Sequence, residues 1–309
     1  MLAKHPGTNL ARNCQRASRL KRGSRRLGWN GSWRGCRFST SCTAGFTQWM
    51  NALCSCAATL ARRFPSFRMT IKLSSPKEVL EFYRDLVRSY GYALETCGAL
   101  DGGRKVWALA RTGITGAADN GGKDELAAYV LLATSCDKTL ATSAAFTSVR
   151  VVCQNTLFFA YEDIKTQRRL QVKVPHNLRF DPHQVKEKLG LMDQAWSGFI
   201  MMVRKMADRP MKPDAASAFF EQVLLPKNAK ALSSKAQREH KTIRGLFKSA
   251  PGQDLTTAKE TLWGAVNAVT YYVDHVRSGD GVDRLDSSWF GAGCTLKERA
   301  WTKASAMVS

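Results

Sequence analysis

The sequence predicts an α+β fold, in which an antiparallel β-meander sheet in the first half of the core is packed by long α-helices from the second half. Three observations predict this. Short apolar or alternating runs joined by Gly- and Asp-containing turns fill residues 92–178, helix-period patterns fill residues 181–307, and the two textures do not alternate. Strands followed by helices are typical of α+β proteins, whereas alternating strands and helices indicate a parallel sheet.

The first predicted element is a helix over residues 76–90. Ser75, Pro76 and Glu78 supply a cap, a proline at the first helical position and the acid of a capping box. An apolar stripe at helical spacing follows, and Gly91 ends the helix.

The meander is predicted from four runs. Strands at 92–100 and 104–111 are joined by Asp101, Gly102 and Gly103, which supply the positive φ angles of a tight hairpin. Residues 116–122 read as a loop. A buried strand at 126–134 then turns through residues 137–139 into a partner at 140–147.

The remaining elements complete the first half and form the helical half. An apolar run at 149–153 is followed by Asn155, a cap for a predicted helix at 156–164, and by a strand at 170–174. Further helices are predicted at 182–207, 214–225, 228–248, 256–277 and 295–307.

Charge is distributed unevenly along the 309 residues. The net charge is +22, but residues 1–68 hold 13 Lys and Arg and no acid, which leaves 34 Lys and Arg against 25 acids, or +9, for residues 69–309. A basic nucleic-acid-binding arm, an organelle transit peptide and a non-native reading frame all fit the first segment, and we favour a disordered or non-native segment at 1–68. Residues 69–309 are predicted to form one domain.

Cysteine spacing and the lengths of apolar runs bear on the cellular compartment and on whether a cofactor is bound. Nine cysteines in no regular framework, with no secretory signal, favour reduced thiols and a cytoplasmic protein. The cysteine spacing predicts no metal site, and the sequence lacks the Gly-x-x-x-x-Gly-Lys pattern that cradles phosphates, so we expect no cofactor. No apolar run has the length that spans a bilayer.

Several separated motifs resemble one family. Residues 95–100, 102–110, 134–137 and above all 150–157, followed by 263–270, 274–275 and 289–293, are similar to the phage and plasmid-like proteins of domain-of-unknown-function family 932, from about residue 75 to about residue 304. The resemblance implies a protein of a mobile genetic element. Two departures stand out: residues 1–68 lack the family's Trp-His-Gly-Leu-Gly-like motif, and Cys136 stands where members often have His.

The residues that carry this resemblance are the family-motif residues. They are Gly98, Gly102, Gly103, Asp137, Arg150, Cys153, Asn155, Thr156, Trp263, Asn267, Tyr271, Asp274, His275, Phe290 and Gly291.

Polar residues of the predicted helix 256–277 allow two interpretations. Trp263, Asn267, Thr270, Tyr271 and Asp274 lie along one face at i, i+3 and i+4 spacing. They form either a buried network that holds the helix to the sheet or a ligand groove, and we favour the network.

A thiol nucleophile is a further alternative. Cys153 with His176 or His275 as its base is such a pair, but a buried inert thiol is the commoner outcome in an apolar run.

Nucleic-acid binding is predicted from cations interleaved with an aromatic on the sheet. The residues are Arg104, Lys105, Trp107, Arg111, Arg150, Arg168, Arg169, Lys173, His176 and Arg179. Proteins that bind single strands combine a cationic track with stacking platforms. A solvated sheet face explains the same pattern.

We therefore favour a non-catalytic protein that binds single-stranded or partly open DNA, in recombination or replication. Two alternatives stay open: a module that binds a host protein and modulates host defence or replication, and a metal-dependent enzyme acting on nucleic acid, for which Asp137 or Asp274 would be essential.

Overall fold

The computed structural model describes residues 91–100, 104–135, 139–158, 171–174, 192–226, 229–277, 279 and 281–309. The predicted helix at 76–90, the hairpin turn at 101–103, the turn residue Asp137 and the whole of residues 1–68 lie outside these ranges. No helix in the described ranges is long and apolar enough to cross a membrane.

The sheet has six described strands, all antiparallel. They are β1 (Ala93–Leu100), β2 (Lys105–Ala117), β3 (Glu125–Ser135), β4 (Thr142–Arg150), β5 (Asn155–Phe158) and β6 (Gln171–Val174). Strands β1 to β4 pair in chain order, and both β5 and β6 pair with the outer edge of β4. The meander predicted from the sequence is thus confirmed.

The predicted helix at 156–164 is wrong where the structure describes it. Residues 155–158 form β5, which pairs with residues 147–150 of β4. The apolar run at 149–153 is divided between the end of β4 and a tight turn, in which Gln154 has a φ of 56°. Asn155 is an apt helix cap by local chemistry, but hydrogen bonding to β4 decides the conformation here, as tertiary context commonly does.

Strand β2 is longer than predicted. The residues between Arg111 and Thr115 form a bulge, after which β2 resumes its pairing with β3 as far as Ala117. The predicted loop at 116–122 therefore starts two residues too early, because a glycine next to a bulge resembles a turn in the sequence.

In the described ranges, six α-helices follow the sheet. They are α1 (Met192–Asp208), α2 (Pro213–Leu224), α3 (Ser234–Ser249), α4 (Leu262–Tyr271), α5 (Gly281–Phe290) and α6 (Ala292–Val308). A π-helical turn, Tyr272–Val276, continues α4.

Their bounds correct the sequence prediction, and α6 begins at residue 292 rather than 295. Helix α3 begins at residue 234 after the Ser233 cap, α4 begins at residue 262 rather than 256, and α5 was not predicted, because Gly279 and Gly281 read as a loop.

The core lies between one sheet face and the helices. Alternate residues of β2 to β4, including Ala110, Val130 and Phe146, pack in one cluster with Phe199 of α1 and Phe220 of α2. Strand β3 is buried on both faces from residue 126 to residue 135. The sheet is therefore an interior layer at this strand rather than an open surface.

Candidate nucleic-acid interface

Strand register separates the predicted nucleic-acid-binding residues. Trp107 and Arg111 pair with Ala133 and Tyr129 of β3, and alternation along β2 places them on one face of the sheet with Lys105. Arg150 pairs with Leu126, on the opposite face. Of the other predicted residues, Lys173 lies in β6, and Arg168, Arg169, His176 and Arg179 lie outside the described residues.

Contacts within the protein leave fewer of the predicted residues on this face available to a nucleic acid. Arg104 and Arg111 are exposed, whereas the Lys105 ammonium donates to both carboxylate oxygens of Asp286 at 2.8 and 2.9 Å. Trp107 is only 8% exposed and packs edge-on against Trp289 of α5, with ring centroids 4.7 Å apart. The Trp107 ring therefore packs inside the protein, and it offers no open ring face on which a base could stack.

Arg150 lies inside the protein, where it forms an ion pair with Asp124. Its Nε and Nη2 donate to the two carboxylate oxygens at 2.6 and 2.8 Å, and Nη2 also donates to the Gly252 carbonyl at 3.0 Å. Thr257 Oγ1 and Trp263 Nε1 donate to the same carboxylate at 2.7 and 3.1 Å. We call these residues the Asp124 cluster.

The Asp124 cluster joins four parts of the chain: the residue before β3, the end of β4, the turn before α4 and α4 itself. Asp124 and Arg150 are 0% and 1% exposed. A buried ion pair is tolerated only when its remaining hydrogen-bonding capacity is satisfied, and here Asp124 accepts four hydrogen bonds from three side chains. Arg150 is therefore a structural residue in this conformation.

A second buried ion pair joins α6 to the π-helical turn. Lys297 Nζ donates to Asp274 Oδ1, Thr156 Oγ1 and Ser288 Oγ, each at 2.8 Å. Asp274 also accepts hydrogen bonds from the Thr156 backbone N–H at 2.7 Å and from Ser288 Oγ. The Lys297 and Asp274 side chains are 1% and 5% exposed. We call these residues the Lys297 cluster.

An amide network lies beside it. Asn155 Nδ2 donates to Asn267 Oδ1, to the Asn267 carbonyl and to Thr270 Oγ1 at 3.0 to 3.3 Å, and Asn267 Nδ2 donates to the Trp263 carbonyl at 2.9 Å. All of these side chains are buried. The interpretation of this helix face as a buried network is confirmed for Trp263, Asn267, Thr270 and Asp274, whereas the Tyr271 ring lies 4.5 Å from that of His275.

Close packing also explains the glycine that follows Trp263. A Cβ on Gly264 would lie 1.8 Å from the Ala258 carbonyl oxygen. Only glycine lets α4 approach the turn that carries Thr257.

The structure therefore brings two separated family motifs together. The β4–β5 region contacts α4 and its π-helical turn through Arg150, Cys153, Asn155 and Thr156. Phe290 and Gly291 lie at the junction of α5 and α6, while Gly98 lies in β1. Gly102, Gly103 and Asp137 are outside the described residues.

Cys153 and His275 are neighbours, but they are not paired as nucleophile and base. The Cys153 thiol is buried 3.9 Å from Arg150 Nη1, and burial raises its pKa. The His275 ring hydrogen-bonds the Cys153 backbone rather than its thiol, and burial lowers the pKa of His275. A thiol with a raised pKa is a poor nucleophile.

Cations on the outer face of α3 form the strongest exposed charge pattern in the described chain. Lys235, Arg238, Lys241, Arg244 and Lys248 are all exposed. Ile243 and Phe247 bury the inner face, and His240 Nε2 lies 2.9 Å from the Ser217 carbonyl of α2. None of the five cations takes part in an ion pair among the described residues.

The only acid of α3 points away from this face. Glu239 lies 3.7 Å from Arg277 Nε and forms a hydrogen bond with Tyr272. Burial, and to a smaller extent the charge of Glu239, raise the pKa of Tyr272 to about 12. The outer face thus carries five positive charges that nothing on α3 neutralises. The sequence contains this signal, as Lys and Arg every three or four residues in a predicted helix, but helical charge is usually a solvated face.

Within the described ranges, no group of three or more His, Cys, Asp or Glu side chains is placed to hold a metal ion.

Comparison with known proteins identifies one family. The model of the family described as Domain of unknown function (DUF932) matches residues 69–302. Neither the curated proteins nor the solved structures include a significant match to this chain.

Proposed function

Given that the chain belongs to the family described as Domain of unknown function (DUF932), we propose that it binds single-stranded or partly open DNA without catalysing a reaction, through the cationic outer face of α3. The phage or plasmid origin that the motif resemblance implies and the cytoplasmic location that the cysteine usage favours are part of this proposal. Its role would be in recombination or replication of a mobile element.

One observation carries the proposal: five exposed cations on one helix without a neutralising acid. Like charges three or four residues apart destabilise a helix by about 0.2–0.5 kcal/mol per pair, so this pattern costs the free protein some stability. A polyanion removes that repulsion and gains entropy as counterions leave its phosphates. The net charge of +9 on residues 69–309 supports the same class of ligand.

The distribution of charge favours α3 over the sheet. Lys105 and Arg150 of the sheet already bind Asp286 and Asp124, so a phosphate would have to compete with a carboxylate for each. The cations of α3 have no such competitor among the described residues.

Fluorescence anisotropy with a labelled single-stranded oligonucleotide tests the proposal. Replacing two phosphate-binding cations lowers the slope of log affinity against log salt by about 2. We expect this change, with affinity about tenfold weaker, for the full chain carrying Lys241→Gln and Arg244→Gln.

A matched control removes the same charge elsewhere. Lys123 and Lys205 are exposed in the β2–β3 loop and on α1. The variant Lys123→Gln with Lys205→Gln should bind like the unmodified chain. Because it has the same net charge as the α3 variant and the same residues 1–68, a loss confined to the α3 variant cannot come from either of them. Equal losses in the two variants, or no salt-dependent binding by the unmodified chain, would exclude α3 as the interface.

Two exposed valines, Val151 and Val152, which we call the apolar knob, favour a second candidate function, the binding of a partner protein. Val151 and Val152 are 49% and 43% exposed at the turn between β4 and β5. The flanking Arg150 and Cys153 are buried, and Val152 lies so close to Gly252 that a Cβ there would meet it at 2.6 Å. Two adjacent exposed valines between buried residues suit a protein contact.

The two candidates predict different variants to be defective. If the knob binds a partner, Val151→Lys with Val152→Lys should abolish capture of one reproducible protein after nuclease treatment, and the α3 variant should retain it. Capture that is unchanged by the valine substitutions would eliminate the knob as a contact.

A further inference from the structure

A pocket beside the cationic face extends the proposed function. Its lining comes from Pro213 and Phe220 of α2 and from five residues of α3 between 241 and 248. Its volume is about 290 Å³, close to the lower end, roughly 300 Å³, of pockets that hold small ligands. One nucleotide unit, rather than a large cofactor, suits this size.

Its lining has two chemical characters. Pro213, Phe220 and Phe247 form an apolar floor, and the two phenylalanines pack edge-on with ring centroids 5.8 Å apart. Lys241, Arg244 and Lys248 are exposed at its rim, and no acid lines it. Cations beside apolar groups suit a phosphate joined to a sugar, since the phosphate contacts the rim and the sugar carbons contact the floor.

Gly245 gives the second, independent indication. It lies in the interior of α3 and is exposed, and a Cβ built on it meets no atom within 4 Å. Glycine in a helix interior lowers stability relative to alanine. Neighbouring atoms therefore do not require the glycine, which instead leaves open space in the lining of the pocket, between Arg244 and Lys248 in the sequence.

We infer that this pocket holds one phosphate and sugar unit of the bound DNA strand, and that Gly245 is the position where the strand comes closest to α3. The inference rests on the proposed function. The cations continue beyond the pocket to Lys235, so that the track spans about 20 Å at 1.5 Å per residue. A track of that length suits a polymer of phosphates better than a single free phosphate.

The test uses Gly245→Leu and Gly245→Ala in the full chain, with Thr242→Ala as the matched control on the same helix. Thr242 is exposed and does not line the pocket. All three changes improve helix propensity, so each should raise the Tm, by about 2–4 °C for the glycine variants. Binding should differ among them.

Anisotropy with a labelled oligothymidylate of about 20 nucleotides provides the readout. Gly245→Leu should weaken binding about tenfold, Gly245→Ala by less, and Thr242→Ala should leave affinity within twofold. Competition at constant ionic strength should require far more inorganic phosphate than unlabelled oligonucleotide.

Each other outcome is decisive. If the unmodified chain binds with a steep salt dependence and Gly245→Leu binds equally well, the pocket is excluded while the proposed function stands. If the unmodified chain does not bind, both fail. If Gly245→Leu lowers the Tm, packing requires the glycine and the argument from Gly245 is overturned. Equal competition by inorganic phosphate would assign the pocket to a free anion.

Discussion

The interior beside α4 and the outer face of α3 both carry positive charge, but in opposite circumstances. Inside, Arg150 and Lys297 are 1% exposed, and each is satisfied by a carboxylate and by further hydrogen bonds. Outside, five cations of α3 are exposed and take part in no ion pair among the described residues. The buried cations hold elements together, and the exposed ones are available to a ligand.

This difference follows from solvation. Removing a charge from water costs several kcal/mol unless a partner compensates it, so a buried cation persists only as part of a complete set of contacts. An exposed cation keeps its hydration and needs no partner. Charge at the interior positions should therefore control stability, and charge on α3 should control binding.

The largest expected effect is loss of stability in Asp124→Asn. The change removes the charge that compensates Arg150, and breaking a buried pair in this way costs about 3–5 kcal/mol. Urea denaturation measures it. Asp254→Asn is the control, since Asp254 is exposed nearby. A free energy of unfolding equal in the two variants would contradict the structural role of Arg150.

The second largest effect is expected in Lys297→Met, which should lower the free energy of unfolding by about 2–3 kcal/mol. The loss is smaller than for Asp124→Asn because Asp274 keeps its hydrogen bonds from Thr156 and Ser288. Lys303→Met, on the same helix, is the control. In a double-mutant cycle with Asp274→Asn, the free energies of unfolding should be non-additive by about 1 kcal/mol or more. Additive values would show that the two charges act independently.

A smaller effect is expected from pH at His275. Burial lowers the pKa of His275 below its ordinary value of 6.5, so the unfolded chain binds this proton more readily than the folded chain. The stability contributed by the neutral ring is complete above about pH 6.5 and is lost as the pH falls below it.

Urea denaturation should therefore show that the free energy of unfolding declines from pH 7.5 to pH 5.5. The decline should be smaller in His275→Asn, whose amide retains a donor toward the Cys153 carbonyl, than in the unmodified chain. An identical decline in the variant and the unmodified chain would assign the pH dependence to other groups.

The smallest effect is expected on the outer face of α3. Lys241→Gln with Arg244→Gln should change the free energy of unfolding by no more than about 0.5 kcal/mol, because these exposed cations form no ion pair among the described residues. Relief of like-charge repulsion should make any change stabilising. A large loss of stability would remove the distinction between the two regions.

Local chemistry predicted most elements but not their exact ends. The meander follows from short runs and their turns, whereas Asn155 as a cap predicts a helix from residue 156, and only pairing with β4 makes residues 155–158 a strand. Helix α5 was missed, since the glycines that precede it resemble a loop.

The candidate site was predicted in part. The motif residues around Asn155 and Asp274 were identified, and the buried network along α4 was the favoured interpretation. The sequence predicts a nucleic-acid surface that includes Arg150 and Trp107, because a cation and an aromatic on strands have the same pattern whether they face solvent or the interior. The cations of α3 were not singled out, because a basic helix face is common.

By itself, the sequence determined the α+β class, the order of strands before helices and the motifs of the family, since these depend on local periodicity, turn chemistry and residue identity. Only the tertiary structure decided which charges are buried and which are exposed. Burial depends on what packs over a residue from distant parts of the chain: Asp124 reaches Arg150 across 26 residues, and Lys297 reaches Thr156 across 141.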